Sequence, residues 1–262
     1  MTDKTLLVAK YTRMYAKKIV LSAMFFCILL SPSHSLADTL RLAVASNFIS
    51  PIKQLATKFE RETGHSLQLS FGSSGKFFAQ IKNNAPYDIF LSADLTKPQI
   101  LIKEQLALQG SLIIYAKGQL ALWSINTIPE IALKDAILRA KRIAIANPKL
   151  APYGKAAKES LRSLSIWDDV KNKIVQGENI GQTYQFVYSQ NAEIGFVALS
   201  QVFAGQKKGH FISVPNELHG KINQAAVILT RTHNTELAKT FMAFIMRADV
   251  QEEILQFGYS TE

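Results

Sequence analysis

Apolar and polar residues alternate in short stretches of the chain, and helix-like runs follow them. Residues 67–71 place Leu67, Leu69 and Phe71 on one face, which predicts a β-strand with one buried side. The sequence GSSG interrupts this alternation at residues 72–75, and the run FFAQIKNNA after it has the character of a helix. The stretch therefore predicts a strand, a small polar turn and the N-terminus of a helix.

A similar order occurs one strand earlier. Residues 40–44 alternate as a strand that ends in Ser46 and Asn47, and Ser50 followed by Pro51 predicts the start of an amphipathic helix. The carboxyl ends of parallel strands meet at one edge of a sheet, and open α/β sheets bind ligands at that edge. We therefore expect the two polar turns to lie side by side.

The remainder of the chain continues to alternate between strands and helices, which predicts an α/β protein. An apolar run at residues 111–124 is broken at Gly118, and a second extended run covers residues 224–230. We expect these two runs to carry the chain between two halves of the protein and back. Residues 235–260 have the pattern of one long C-terminal helix.

The N-terminal residues have the composition of a secretory signal peptide. Two lysines precede a 12-residue apolar run at residues 19–30, and SPSHSLA follows it before Asp38. A basic start, an apolar centre and a small residue at the end are typical of such signals, so we assign residues 1–37 to one. The run is short for a bilayer-spanning helix, and an N-terminal anchor is the alternative.

Charge and cysteine content agree with a secreted protein. Residues 1–37 hold five basic residues and one acidic residue, so their removal lowers the formal net charge from +10 to +6. This mild positive charge favours an anionic ligand, and no basic block predicts a nucleic-acid surface. Cys27 is the single cysteine and lies in the removed segment, which suits an oxidising compartment. Met1 and Met14 are both suitable start residues.

Small polar residues occur at the predicted turns between strands and helices. They are Ser46, Asn47, Ser73, Ser74, Tyr153 after a proline, and Asn179 with Ile180. They offer hydroxyl and backbone N–H donors, and each hydrogen bond to a charged acceptor contributes about 1.5–3 kcal/mol. A site without an acceptor disfavours oxyanions that retain a proton. Taken singly, each turn is also an ordinary helix cap.

Other chemistry lacks its defining residues. The GSSG sequence does not match the G-x-S-x-G nucleophile motif, and Gly75 with Lys76 lacks the remaining residues of a phosphate-binding loop. The histidines have no metal-binding spacing. A secreted hydrolase that uses Ser73 or Ser74 would have no neighbouring base, and it is kept as an alternative.

Six motifs follow one another in a fixed order. They are AVASNF at residues 43–48, FGSSG at 71–75, APYDIFLSAD at 85–94, NPKLAPYGKAAKESL at 147–161, GENIGQTYQFV at 177–187 and AEIGFVALSQ at 192–201. In these motifs the chain resembles the periplasmic molybdate-binding proteins, the solute receptors of molybdate ABC importers. The resemblance implies a two-lobed Venus-flytrap fold in which each lobe is a mostly parallel sheet flanked by helices. We expect one lobe at residues 38–120 plus 225–262 and the other at residues 121–224.

The resemblance also implies a function and a site. It implies a periplasmic binding protein without catalytic activity or cofactor, which captures molybdate, and tungstate as well, between its lobes and delivers it to a membrane permease. We expect a monomer. The implied ligand contacts are Ser46, Asn47, Ser74, the backbone N–H of Tyr153 with its hydroxyl as a further candidate, and the backbone N–H of Ile180. A receptor for sulfate or another small anion is the alternative.

The chain departs from the family pattern at one position. Many members have a tyrosine in a later strand where this chain has Ala198. The wall of the cleft therefore loses one hydroxyl donor, and the chain resembles the branch in which Tyr153 takes that role.

Overall fold

The strands of the described residues form two five-stranded sheets. The structure is a computed structural model that describes residues 37–128, 132–205 and 209–260. The assigned signal peptide lies outside these residues except for Ala37, and Cys27 and both candidate start residues lie outside them as well. Among the described residues, no helix is both long and apolar enough to cross a membrane.

Strands and helices alternate along most of the chain, as the sequence predicts. The strands are β1 (Thr39–Ala45), β2 (Ser66–Gly72), β3 (Ile89–Ser92), β4 (Ile113–Gly118), β5 (Leu120–Ser124), β6 (Ile143–Ala146), β7 (Ile174–Gly177), β8 (Ile194–Ala198), β9 (His210–Ser213) and β10 (Ile222–Ile228). The helices are α1 (Ile49–Thr63), α2 (Ser74–Lys82), α3 (Thr96–Lys103), α4 (Leu133–Arg139), α5 (Pro152–Ser163), α6 (Trp167–Val170), α7 (Ile180–Tyr188), α8 (Leu199–Ala204), α9 (Thr235–Ile245) and α10 (Ala248–Gln256).

The two sheets divide the protein into two lobes. The first sheet has the strand order β2-β1-β3-β10-β4, and the second has the order β7-β6-β8-β5-β9. We call the part built on the first sheet the first lobe and the part built on the second sheet the second lobe. The two-lobed α/β fold is confirmed, whereas the residue bounds of the lobes stay a prediction.

Both sheets are mostly parallel, as predicted, and in each of them one strand runs against the other four. In the first sheet β1 pairs in parallel with β2 and β3, but β10 runs antiparallel to β3 and β4. In the second sheet β5 runs antiparallel to β8 and β9. The route of the chain explains the direction of β5 and β10. Each of them enters its sheet at the carboxyl edge and must run away from that edge.

The chain passes between the lobes at two adjacent places. Gly118 ends β4 in the first sheet, and β5 begins two residues later in the second sheet. The return passes from β9 to β10, whose Ile222 pairs with Gly118. We call these two connections the crossing segments.

Apolar side chains bury the facing surfaces of sheets and helices. In the first lobe Phe48 and Phe59 are fully buried, and Phe59 packs edge-on against Phe241 and Phe244 of α9. In the second lobe Trp123 is fully buried and stacks on Tyr184 with ring centroids 4.6 Å apart. Burial of large side chains contributes about 1.5–3 kcal/mol each, so these rings fix the sheets on which the polar turns depend.

Two element boundaries differ from the sequence prediction. A 3-10 turn at Ser46–Phe48 follows β1 directly and continues into α1 at Ile49, so Pro51 lies in the first turn of a helix that begins earlier than Ser50. The C-terminal pattern folds as two helices, because the backbone of Arg247 is extended and its guanidinium donates to Asp249 over 2.6 Å.

Candidate functional site

Ser46 lies where the carboxyl ends of β1 and β2 meet. The chain turns into a 3-10 turn immediately after β1, which brings Ser46 to 4% exposure. Its hydroxyl donates to the carbonyl oxygen of Gly72, the last residue of β2, over 2.8 Å. The hydroxyl is therefore at the sheet edge where the sequence predicts a ligand, and rotation about one bond would redirect its proton.

Asn47 uses its side chain within the protein. Its amide nitrogen donates to the side-chain oxygen of Gln224 and to the hydroxyl of Tyr259, both over 2.9 Å. Its side-chain oxygen is buried and has no hydrogen-bond partner among the described residues. In this arrangement Asn47 offers an anion its backbone N–H, which lies in the first turn of a helical segment and has no intrahelical acceptor.

The two serines of the GSSG turn have different partners. Ser73 is the N-cap of α2, and its hydroxyl oxygen accepts a hydrogen bond from the backbone N–H of Lys76 over 3.3 Å. Ser74 is the first residue of the helix, and its hydroxyl oxygen accepts from the backbone N–H of Ala93 over 2.9 Å. Because Ser74 accepts in this bond, its own proton remains to be donated. The structure thus separates a capping serine from a serine that can bind.

The second lobe contributes two helix N-termini. Tyr153 is the second residue of α5, and Ile180 is the first residue of α7, which is capped by the side chain of Asn179. Backbone N–H groups in a first helical turn have no intrahelical partner and lie at the positive end of the helix dipole. Both backbone groups are therefore suited to an anion, as the sequence predicts.

The hydroxyl of Tyr153 points toward the crossing segments. It accepts a hydrogen bond from the side-chain nitrogen of Gln224 over 3.3 Å. A Cβ atom at Gly118 would lie 2.1 Å from this hydroxyl, so the glycine leaves the room that the phenol occupies. Burial raises the pKa of Tyr153 well above its ordinary value, which keeps the hydroxyl neutral.

The five predicted contact residues lie together at the boundary between the lobes. Each is at most 4% exposed. The backbone N–H of Gly75 in the first lobe donates to the carbonyl oxygen of Leu150 in the second over 2.8 Å. A Cβ atom at Gly181 would lie 3.3 Å from the Cβ of Ser46, so α7 touches the first polar turn. The structure is therefore a closed form of the cleft.

The buried polar side chains of the described residues are all neutral. They are Ser46, Asn47, Ser73, Ser74, Ser92, Ser124, Ser160, Thr183, Ser200, Gln224 and Thr232. Within the part of the chain that the structure describes, the closed cleft thus presents neither a buried carboxylate to accept a ligand proton nor a buried base to activate a serine. This arrangement can hold an oxyanion by neutral donors, but it gives Ser73 and Ser74 no means of nucleophilic attack.

Gln201 lies beside Ala198, the position at which many members of the family have a tyrosine. Ala198 is fully buried at the end of β8, and its backbone N–H donates to the side-chain oxygen of Gln201 over 3.0 Å. The side-chain nitrogen of Gln201 donates to the carbonyl oxygen of Ile180, also over 3.0 Å. Gln201 therefore links the wall that lacks a hydroxyl to the first residue of α7.

Four polar residues around the cleft were not predicted from the sequence. They are Ser200, Gln201, Gln224 and Tyr259. Gln224 is fully buried near the start of β10, where the two amide side chains of Asn223 and Gln224 precede an apolar run, and amides at such a place were a usable signal. Ser200 and Tyr259 gave none, because they meet the backbone carbonyl of Asn47 from 153 and 212 residues away.

An exposed ion pair joins the lobes at the rim of the cleft. Lys76 of α2 lies 2.8 Å from Glu178, which follows β7, and both side chains are about half exposed. The hydrogen bond to Glu178 raises the pKa of Lys76, so the lysine stays charged at neutral pH. The pair forms only when the lobes are together.

We expect Lys76→Met to weaken ligand binding slightly at low ionic strength, since an exposed ion pair contributes little and is screened by salt. Lys82→Met is the matched control, because Lys82 pairs with Glu104 over 2.8 Å within the first lobe and its loss changes the net charge equally. Titration at two salt concentrations checks this. A loss that persists at high salt would contradict a purely electrostatic role.

Together the fold and the cleft define a two-lobed solute-binding protein. The family model of the bacterial extracellular solute-binding protein matches residues 40–260. The chain is 41% identical to the molybdate-binding protein ModA of Azotobacter vinelandii over 86% of this chain and 91% of that protein. It is 40% identical to ModA of Rhodobacter capsulatus over 84% and 87% of the two chains.

A solved structure gives the same result. The periplasmic molybdate-binding protein of Azotobacter vinelandii superposes with a TM-score of 0.81 at 35% identity, over 85% of this chain and 99% of that one. The chain belongs to the bacterial extracellular solute-binding protein family, and its predicted resemblance to the molybdate-binding proteins is confirmed. It is a binding protein and not an enzyme, so the hydrolase alternative is abandoned.

Proposed function

We propose that the protein captures molybdate, and also tungstate, in the closed cleft between its lobes. The observation that carries this proposal is the set of buried neutral donors contributed by both lobes. The proposed contacts are the hydroxyls of Ser46 and Ser74 and the backbone N–H groups of Asn47, Tyr153 and Ile180. The relatives named above are molybdate-binding proteins, which supports the choice of this oxyanion.

The charge around the cleft supports an anionic ligand. A cavity of about 290 Å³ opens beside Ala151 and Pro152, next to the N-terminus of α5. Its lining includes the four lysines Lys97, Lys149, Lys155 and Lys221 and only two acidic residues, Asp94 and Glu159. Ion pairs join Lys97 to Asp94 and Lys155 to Glu159. The remaining excess of two positive charges would raise the local concentration of a dianion next to the N-terminus of α5.

We further propose that the loaded protein acts in the periplasm, as a monomer, and delivers its ligand to the membrane permease of an ABC importer. The assigned signal peptide at residues 1–37 and the family of the chain support this place of action. The lobes, at residues 38–120 plus 225–262 and at residues 121–224, would move apart about the crossing segments to release the ligand.

Calorimetry with four oxyanions tests the ligand. We expect molybdate and tungstate to bind at least about tenfold more tightly than sulfate, a difference of about 1.4 kcal/mol. Hydrogen phosphate should bind weakest, because its proton would find no buried carboxylate to accept it among the described residues of the cleft. Perchlorate serves as a control for nonspecific anion binding. Tight binding of sulfate together with weak binding of molybdate would favour the alternative receptor.

A further inference from the structure

A chain of buried hydrogen bonds connects the proposed oxyanion site to the crossing segments. Gln224 is fully buried at its centre. Its side-chain oxygen accepts from the amide nitrogen of Asn47 over 2.9 Å, and its side-chain nitrogen donates to the hydroxyl of Tyr153 over 3.3 Å. One carboxamide thus bonds to one proposed contact residue of each lobe.

The backbone around Gln224 is shaped for this arrangement. The register between β10 and β4 shifts between Gln224 and Ala225, and such a bulge redirects a side chain. A Cβ atom at Gly118 would lie 2.6 Å from the side-chain nitrogen of Gln224. The space that Gln224 and Tyr153 share therefore depends on two features, the bulge in β10 and the glycine at the end of β4. Each of these strands adjoins a crossing segment.

The same chain continues on the other side of Asn47. The amide nitrogen of Asn47 also donates to the hydroxyl of Tyr259, and that hydroxyl donates to the carbonyl oxygen of Asn47 over 2.9 Å. The hydroxyl of Ser200, in the second lobe, donates to this carbonyl over 2.8 Å. Burial is the main cause that raises the pKa of Tyr259, so it remains a neutral donor. These bonds orient Asn47 independently of Gln224.

We propose that Gln224 is a positioning residue for the oxyanion site, which favours the closed conformation by bonding to Asn47 and Tyr153 at the same time. This inference rests on the proposed oxyanion binding. Separation of the lobes would pull Tyr153 away from Asn47, so the carboxamide would retain one of its two partners. Because the full set of oxyanion donors exists only when the lobes are together, a residue that stabilises closure increases affinity without touching the ligand.

Gln224→Met tests the proposal, because it keeps the approximate size of the side chain and removes both hydrogen bonds. We expect the dissociation constant for molybdate to rise several-fold, up to about tenfold, because the variant loses the hydrogen bond to Tyr153 that only the closed form makes, and one hydrogen bond of ordinary strength accounts for a change of that size. The change should lie in a faster dissociation rate, measured by stopped flow, while the association rate stays close to that of the wild type.

Tyr153→Phe shows how the tyrosine acts, because it removes the hydroxyl and keeps the backbone N–H. If the hydroxyl acts through Gln224, the single variant dissociates faster and the double variant Gln224→Met with Tyr153→Phe equals Gln224→Met alone. If the hydroxyl touches the ligand directly, the two effects multiply, and the proposed path through Gln224 is overturned.

Tyr115→Phe is the matched control. Tyr115 is also a buried tyrosine, but its hydroxyl has no hydrogen-bond partner among the described residues. The Tyr115→Phe variant should bind and release molybdate as the wild type does.

A wild-type protein that binds none of the oxyanions would refute the proposed function itself. A wild type that binds molybdate, with wild-type dissociation rates in Gln224→Met, would refute only this inference. If Gln224→Met does not fold, wild-type dissociation from Tyr153→Phe refutes it instead.

Discussion

Gly75→Ala is expected to prevent closure of the cleft and to lower the affinity for molybdate at least about a hundredfold. A Cβ atom at Gly75 would lie 2.8 Å from both the Cα and the carbonyl oxygen of Leu150, across the boundary between the lobes. These are backbone atoms, which cannot rotate away as the end of a flexible side chain can. The methyl group would therefore hold the lobes apart.

The size of this effect follows from the number of donors that closure supplies. Tyr153 and Ile180 belong to the second lobe, and each bond from their backbone N–H groups to an anion contributes about 1.5–3 kcal/mol. The loss of both corresponds to at least about a hundredfold in the dissociation constant. The first lobe itself should tolerate alanine, because Gly75 lies in the first turn of α2 with ordinary helical geometry.

Small-angle scattering and calorimetry on one variant check the prediction. The wild type should become more compact when molybdate is added, and Gly75→Ala should not. Gly220→Ala is the control, because a Cβ atom there would meet only the carboxylate of Glu159, at 3.5 Å. Normal compaction together with wild-type affinity in Gly75→Ala would show that Leu150 moves aside for the methyl group without loss of binding free energy. That result would contradict the prediction.

Local patterns predicted the elements that carry the site. The alternation at residues 67–71 and the GSSG turn correspond to β2, to the cap at Ser73 and to α2. These features depend on neighbouring residues, so the sequence shows them directly. The predicted buried face is incomplete, because β2 is an edge strand on which Leu67 and Leu69 are partly buried and Phe71 is exposed. The start of α1 was harder to predict from the sequence. A 3-10 turn at Ser46–Phe48 precedes this helix, whereas the capping pattern appears only at Ser50.

Contacts distant in the sequence could not be predicted in the same way. Asn47 was expected to contact a ligand, but its side chain meets Gln224 and Tyr259, which lie 177 and 212 residues away. No periodicity relates residues at such separations. The direction of β10 could not be predicted for a similar reason, because it depends on the edge at which the returning chain enters the sheet. The resemblance to a family supplied the proposed contact residues, and the structure adds the partners of their side chains.

Ser73 and Ser74, the two serines of the GSSG turn, are expected to have different roles. Ser74→Ala is expected to raise the dissociation constant for molybdate about ten- to hundredfold, since one hydroxyl donor to a charged acceptor contributes about 1.5–3 kcal/mol. Ser74 is 1% exposed and accepts from the N–H of Ala93, which fixes its oxygen and leaves its proton for the ligand.

The empty protein should lose little stability in Ser74→Ala. The N–H of Ala93 would lack its acceptor in the closed cleft, but water reaches this group once the lobes separate. Ser73→Ala should show the opposite pattern. It removes the cap that accepts from the N–H of Lys76, which costs about 1 kcal/mol of stability, while the hydroxyl of Ser74 remains.

Melting temperatures of the two ligand-free variants and their molybdate affinities separate the two roles. We expect Ser74→Ala to change mainly the affinity and Ser73→Ala to change mainly the melting temperature. The reverse result, with normal affinity in Ser74→Ala and a large loss in Ser73→Ala, would exchange the roles of the two residues. Equal and small effects on affinity would mean that the ligand takes its donors from the backbone, and the GSSG turn would then contribute only the start of α2.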